Sequence, residues 1–403
     1  MKILIFFVLH FSFIWEFIYL PFLILFSFLS RFSKKKVDIG LGPEPLINNV
    51  YHKRALEING FKSETFVNHV YFITDEFDNV FIFRNRYIHY FLLRILYIDF
   101  IWVLFKFKAV YIYFNGCSLQ NSILLWRFEP FLFKIANIKT VVMPYGGDIQ
   151  VLNQTPNLKF KAAVIKDYPK FKLRHNNNVK RIKLWSNNAD HVISGCDWVD
   201  YMYHWDTLLV GHFSIDIEYI NQVVESFVPN YRSLKSNDVF KVLHAPNHRA
   251  IKGTDFIISA INELKSDGHK IELILVEKKS NQEILELIST VDLVIDQLII
   301  GWYAMFAIEA MALRKPVICY LREDLLDLYV NSKIIGENEP PIINASTKSI
   351  KSVLLKIING EIDIEMFKNK GYDYVKRIHS LESIGGVFLQ INNSIGINPS
   401  KII

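Results

Sequence analysis

Gly301-Trp302-Tyr303-Ala304-Met305-Phe306-Ala307-Ile308-Glu309-Ala310-Met311-Ala312-Leu313-Arg314-Lys315-Pro316-Val317 holds one carboxylate, Glu309, in an otherwise apolar helical stretch. The stretch runs into Pro316 and then Val317-Ile318-Cys319-Tyr320, the pattern of a buried strand. A carboxylate among apolar neighbours is costly unless it is paired or meets a ligand. Upstream the same alternation repeats. Strands are predicted at 239–244, 271–276, 293–295 and 317–320, with helices at 254–267, 282–289 and 303–313 between them. Apolar strands alternating with helices make a parallel sheet covered on both faces.

The chain before residue 219 has the same organisation. Val37-Asp38-Ile39-Gly40-Leu41-Gly42-Pro43 reads as a strand ending in a glycine-rich turn. A helix follows near 47–59, Gly60 stops it, and 64–70 reads as the next strand. Further strands are predicted at 109–114, 140–143 and 191–194. Residues 219–238 carry Pro229 and Ser/Asn turns and read as an interdomain connection. The expected fold class is α/β, with two doubly wound, Rossmann-like domains facing a cleft. Their predicted spans are 37–218 and 239–371, and helices are expected within 372–403.

Residues 3–29 are nearly all apolar or aromatic, with His10 and Glu16 as exceptions. About 20 apolar residues suffice to cross a bilayer. Arg31, Lys34, Lys35 and Lys36 follow at once, whereas only Lys2 precedes. That asymmetry places the downstream chain on the cytoplasmic side. Segment 1–33 is therefore expected to be a hydrophobic anchor at the cytoplasmic face of the plasma membrane. Glu16 and Pro21 also fit a helix lying in the interface, and a signal peptide or an ordinary core helix is the remaining alternative. Because the first strand begins only at Val37, removal of residues up to about Ser33 is expected to leave a folded protein.

Composition excludes several classes. Half of the chain is apolar, 51%, so it is neither disordered nor fibrous. Cys117, Cys196 and Cys319 lie far apart, which gives neither a disulfide framework nor a zinc motif. His244 and His248 straddle Pro246, and no other histidine spacing suits a metal. Arg84, Arg86, Arg94, Lys106 and Lys108 are interleaved with aromatics, and residues 159–183 hold nine Lys or Arg. Such segments fit anionic lipid headgroups or plain solvated faces. No nucleic-acid recognition motif accompanies them.

Around Glu309 the motifs fall in a fixed order. His244-Ala245-Pro246-Asn247-His248-Arg249 leads to Lys252-Gly253-Thr254-Asp255, then to Val291-Asp292-Leu293-Val294-Ile295-Asp296-Gln297, then to the Glu309 helix. This C-terminal part resembles the retaining glycosyltransferases of family 4, which have the GT-B fold. Gly40-Leu41-Gly42-Pro43 and Tyr145-Gly146-Gly147-Asp148 are weaker matches in the N-terminal half. The resemblance implies metal-independent sugar transfer from a nucleotide sugar, with retention and without a cofactor, and C-terminal helices within 372–403 that pack back across the domain junction.

It also implies roles. Arg249 and Lys252 would hold the diphosphate and stabilise its charge as the sugar departs. Glu309 would accept hydrogen bonds from ribose hydroxyls. The family has a second glutamate eight residues earlier, where this chain has Gly301, followed by Trp302 and Tyr303. The donor sugar would then be gripped by backbone N–H groups of the 301–304 turn, or by Asp296 or Gln297. Gly146 and Gly147 permit close approach of an acceptor, Asp148 would bind its hydroxyls, and Gly42 would face the cleft. The bland readings are an ordinary turn at 145–148 and simple packing for Trp302 and Tyr303. Arg314 stands where relatives carry glycine at the helix end. The expected partners are a nucleotide sugar, a lipid-linked or saccharide acceptor and the membrane surface, and no nucleic acid. A nucleotide-sugar epimerase of the same fold, or a non-catalytic sugar- or lipid-binding relative, are the alternatives.

Overall fold

The computed structural model describes residues 12–228 and 239–400. Its first sheet comprises β1 (Val37–Leu41), β2 (Ser63–Val67), β3 (Asn79–Val80), β4 (Phe107–Tyr113), β5 (Lys139–Met143), β6 (His191–Ser194) and β7 (Thr207–Leu208). The second comprises β8 (Phe240–His244), β9 (Ile271–Leu275), β10 (Leu293–Ile295), β11 (Val317–Cys319) and β12 (Ile343–Asn344). The strand orders are β3-β2-β1-β4-β5-β6-β7 and β12-β11-β10-β8-β9. Every strand pairing is parallel. This suits apolar strands such as β1, buried at all its positions, since helices cover both faces of a parallel sheet.

The chain order reverses between β1 and β4 in the first sheet and between β8 and β10 in the second. Open parallel sheets bind ligands at the carboxyl ends of the strands, at such reversals. The predicted strands are all present. The short β3, β7 and β12 were not predicted, because two residues cannot establish a period.

The expected connection at 219–238 begins differently from its reading. Helix Ile217–Phe227 occupies its first part, with Asp216 accepting from Tyr219 N and with Ile220 and Val224 buried. It packs on helices Asn281–Ser289 and Met305–Ala312 of the second domain. The rest, 229–238, lies outside the described residues. At the C-terminus helix Ile364–Ile378 packs on Met305–Ala312, and Leu381–Ser394 crosses to pack on Ile47–Glu57 of the first domain. Ile384, Phe388 and Ile391 join Ile39, Leu41 and Tyr111 in one apolar cluster.

The apolar N-terminal run forms the expected helix over its described part. Residues 3–11 lie outside the described residues; from Ser12 to Ser30 the chain is a helix docked on the first domain. It packs on helices Ile98–Lys106 and Glu129–Ile135. Glu16 is its key. Its carboxylate accepts from Ile123, Leu124 and Leu125 N–H at 3.0, 2.6 and 3.3 Å, and from the Tyr97 hydroxyl at 3.2 Å. Trp15 Nε1 and Tyr19 O–H donate to the carbonyls of Ile95 and Leu96. These bonds tie the helix to the domain and bear on the expected removal of residues up to about Ser33, since without Glu16 the N–H groups of 123–125 lose this acceptor. Arg314 does adopt the left-handed conformation, φ 56°, and its guanidinium stacks 3.8 Å over the Tyr372 ring.

Candidate active site at the domain cleft

The loops at the two chain reversals face each other across a cleft of about 880 Å³. That volume suits a small-molecule ligand. Gly146, Gly147 and Arg174 line it from the first domain, and His248, Lys278 and Ile300 from the second. A smaller chamber of about 470 Å³ adjoins it, lined by Tyr51, Arg54, Tyr219 and Asn281. Tyr71, Phe72 and Ile73 line both and form the partition. That partition bridges the domains, since Asn281 N donates to Ile73 O at 3.2 Å.

Asn281 opens helix Asn281–Ser289 under a capping box formed by Ser280 and Glu283. Its Nδ2 donates to Glu309 Oε1 at 2.7 Å. Glu309 is buried, and burial pushes its carboxyl up to about 7, with the Asn281 bond pulling the other way. Among the described residues the structure gives this carboxylate no cationic partner. A buried acceptor with one amide donor retains unused lone pairs.

Lys252 closes the short helix Arg249–Lys252 that follows β8, and Asp296 lies in the loop after β10. Lys252 Nζ is 2.6 Å from Asp296 Oδ1, and Asp296 Oδ2 accepts from Ala304 N at 3.1 Å. The pair therefore spans the reversal of the second sheet and fixes the 301–304 turn. His244 secures the same region: Nδ1–H donates to Ile295 O at 2.8 Å and Nε2 accepts from the Thr254 hydroxyl at 3.0 Å. Arg249 is half-exposed and faces Glu277 at 3.8 Å. Arg174 and Lys278 form no ion pair among the described residues, which leaves two cations free in the cleft. Across it, Tyr168 O–H lies 2.6 Å from His248 Nε2, and Asp167 accepts from Ala250 and Ile251 N–H. Among the described residues no three His, Cys, Asp or Glu side chains gather as a metal site.

No family model and no curated protein matches the sequence. Solved structures do. Sucrose-phosphate synthase from Thermosynechococcus elongatus is 11% identical over 89% of this chain and 99% of its own, with a TM-score of 0.55. WaaG, a glycosyltransferase involved in lipopolysaccharide biosynthesis, is 11% identical over 89% of this chain and 100% of its own, TM-score 0.50. The N-terminal domain of trehalose-6-phosphate phosphatase from Candida albicans is 9% identical over 90% of this chain and 100% of its own, TM-score 0.51. The chain has the GT-B fold.

Within this GT-B cleft the predicted site residues separate. Gly146 and Gly147 line it, while Glu309 stands directly behind Asn281 on its smaller chamber. Lys252, Asp296 and Arg249 gather at the second reversal. Asp148 does not reach the cleft. It is fully buried, and its carboxylate accepts from Phe114, Tyr145 and Gly146 N–H at 3.0 Å each. It shapes the glycine loop from behind. Gly42 does not line the cleft either; a Cβ there would lie 2.0 Å from Phe66 O, so close packing requires glycine.

Trp302 and Tyr303 turn away from both chambers and into the domain junction. Trp302 Nε1 donates to Val210 O at 2.8 Å, and the Tyr303 hydroxyl meets Tyr374 and His379. Gln297 Nε2 donates to Trp302 O, and its Oε1 has no partner among the described residues. Gly301 has φ 102°, and a Cβ on it would lie 2.5 Å from Arg322 Cγ and Cδ. The stem of Arg322 thus fills the space beside Gly301, and its guanidinium reaches across to Asp200 at 2.6 and 3.1 Å. Asn281 and Arg322 were not singled out in the sequence. Ser280-Asn281-Gln282-Glu283 carries the capping-box pattern that would have placed Asn281 at a helix start beside the cleft.

Proposed function

We propose that this protein transfers a glycosyl group from a nucleotide sugar to a hydroxyl of a saccharide acceptor, with retention and without a metal ion. The observation that carries the reading is Glu309: a buried carboxylate without a cation among the described residues, bonded to Asn281 at the edge of a two-chambered GT-B cleft. Ribose hydroxyls donating to Glu309 would satisfy it. Lys252, Arg249 and the free Lys278 supply positive charge where the diphosphate departs, acting through preorganised electrostatics. In the transfer the bond from the anomeric carbon to the diphosphate oxygen breaks, and the acceptor oxygen attacks on the same face. The acceptor proton passes to the leaving phosphate. The Gly146–Gly147 loop and Arg174 form the opposite wall and orient the acceptor. The apolar helix Ser12–Ser30 favours an acceptor at or linked to the membrane, as in assembly of a surface polysaccharide, with the enzyme on the cytoplasmic face.

The test is a panel of nucleotide sugars scored first by thermal stabilisation and then by release of nucleoside diphosphate. One donor should raise the melting temperature and be hydrolysed slowly without acceptor, also in excess chelator. A panel that neither stabilises the parent protein nor distinguishes it from Glu309→Ala overturns the reading.

A further inference from the structure

The helix Ser12–Ser30 has two unlike faces. Glu16, Tyr19, Leu23, Ser27 and Ser30 are buried against the domain. Phe17, Ile18, Phe22, Leu25 and Leu29 recur at helical spacing on the other side, and Phe17 is 64% exposed and Leu25 51%. The neighbouring elements extend this apolar surface through Phe105, Ile123 and Phe131, all exposed. A soluble monomer rarely carries so continuous an apolar face.

Charge around the face is one-sided. In residues 12–36 the only carboxylate is Glu16, which is buried, while Arg31, Lys34 and Lys36 are exposed. In 82–106 the only carboxylate is Asp99, buried, while Arg84 and Arg86 are exposed. In 121–136 the only carboxylate is Glu129, buried, while Arg127 and Lys134 are exposed. Three elements packed side by side thus present cations and apolar groups outward and keep every acid inside. The Glu16 bonds also fix the helix along the domain, so it cannot stand clear of the domain to cross a bilayer without breaking them.

We propose that this face is an in-plane membrane-docking surface for anionic lipid, with helix Ser12–Ser30 lying parallel to the bilayer and its exposed side in the headgroup–acyl boundary. Apolar burial holds it there and the surrounding cations select negative headgroups. The proposal does not depend on the sugar-transfer reading, since it concerns a different surface.

The experiment uses the full chain. Purified protein is floated with vesicles of phosphatidylcholine alone or mixed with phosphatidylglycerol, at low and high salt. Binding should be at least ten-fold greater to the anionic vesicles and fall with salt. The triple change Phe17→Asp, Ile18→Asp, Leu25→Asp should abolish flotation with the melting temperature unchanged, because these side chains are more than half exposed and belong to no core cluster. Nitroxides at Phe13→Cys, Phe22→Cys and Phe28→Cys report depth, the native cysteines being buried. All three should sit at one shallow depth, about 5–10 Å. Phe22 at the bilayer centre with Phe13 and Phe28 at opposite surfaces overturns the proposal in favour of a span. Equal binding to neutral vesicles, or a stable dimer that buries the face and does not float, overturns it as well.

Discussion

At the residue scale Glu309 shows why a site need not be a stabilising feature. Its folded-state value of about 7 lies above the usual 4.5, so between those values the folded protein holds a proton that the unfolded chain releases. Stability from this group therefore falls as pH rises through that window, and above it the fold bears the full burial cost. Glu309→Gln should leave stability at pH 8 unchanged or higher by thermal melts. It should weaken donor binding by about 1.5–3 kcal/mol. Donor affinity of the parent should rise with pH up to about 7 as the acceptor ionises, and the variant should lose that dependence in calorimetry. Unaltered affinity would remove Glu309 from the site. Gly301 is the converse case. Gly301→Ala should destabilise by about 1–3 kcal/mol, from a backbone conformation costly for any side chain, and from displacement of Arg322. Glu309 was legible because one charge in an apolar helix stands out. The reason for Gly301 was not, because Arg322 is distant in sequence and meets it only in the folded chain.

Elements decide what the basic loop does. Lys252 and Arg249 look equivalent in sequence, three residues apart in one loop. The short helix Arg249–Lys252 gives them different surroundings: one points into the reversal of the second sheet toward buried Asp296, the other outward to Glu277. Lys252→Ala should cost about 3–5 kcal/mol, because it strands a buried carboxylate. Arg249→Ala should change stability by no more than about 0.5 kcal/mol and act, if on anything, on turnover. Urea titration of both variants checks the contrast; equal stabilities would mean that the Lys252–Asp296 pair is not formed in solution. The alternation of strands and helices was readable from periodicity alone, whereas the return of the last helix was implied only by the resemblance. The docking of Ser12–Ser30 was not readable, since an apolar run reads alike whether lipid or protein covers it. What distinguishes the cases is one glutamate and the three backbone N–H groups it finds about a hundred positions away.

For the whole molecule, neutral buried histidines gather beside the junction between domains, and one of them, His379, bridges it. His212 Nε2–H donates to Pro144 O, so its Nδ1 accepts from His52 Nε2–H, and His52 Nδ1 accepts from the Ser214 hydroxyl. His379 Nδ1–H donates to Phe213 O and Nε2 accepts from the Tyr303 hydroxyl. Burial lowers His212 and His379 to about 4 and His52 well below its usual value. Their contribution to stability is complete above about 6.5 and lost as pH falls toward 4. Their ring proton resonances should not titrate between pH 5 and 8; a midpoint near 6.5 for any of the three would contradict the network. Pairwise contacts of this kind escape sequence reading because twelve histidines offer many partners and no spacing selects one. The crossing of helix Leu381–Ser394 onto Ile47–Glu57 has a consequence in time. During synthesis the strands of the first sheet are complete once β7 is made, yet their outer layer is still unmade. At about 5–20 residues per second, roughly 10–40 s pass before Phe388 and Ile391 exist to cover Leu41 and Tyr111. Throughout that interval the nascent first domain carries an open apolar trough, and on the ribosome this is the surface that a chaperone would find.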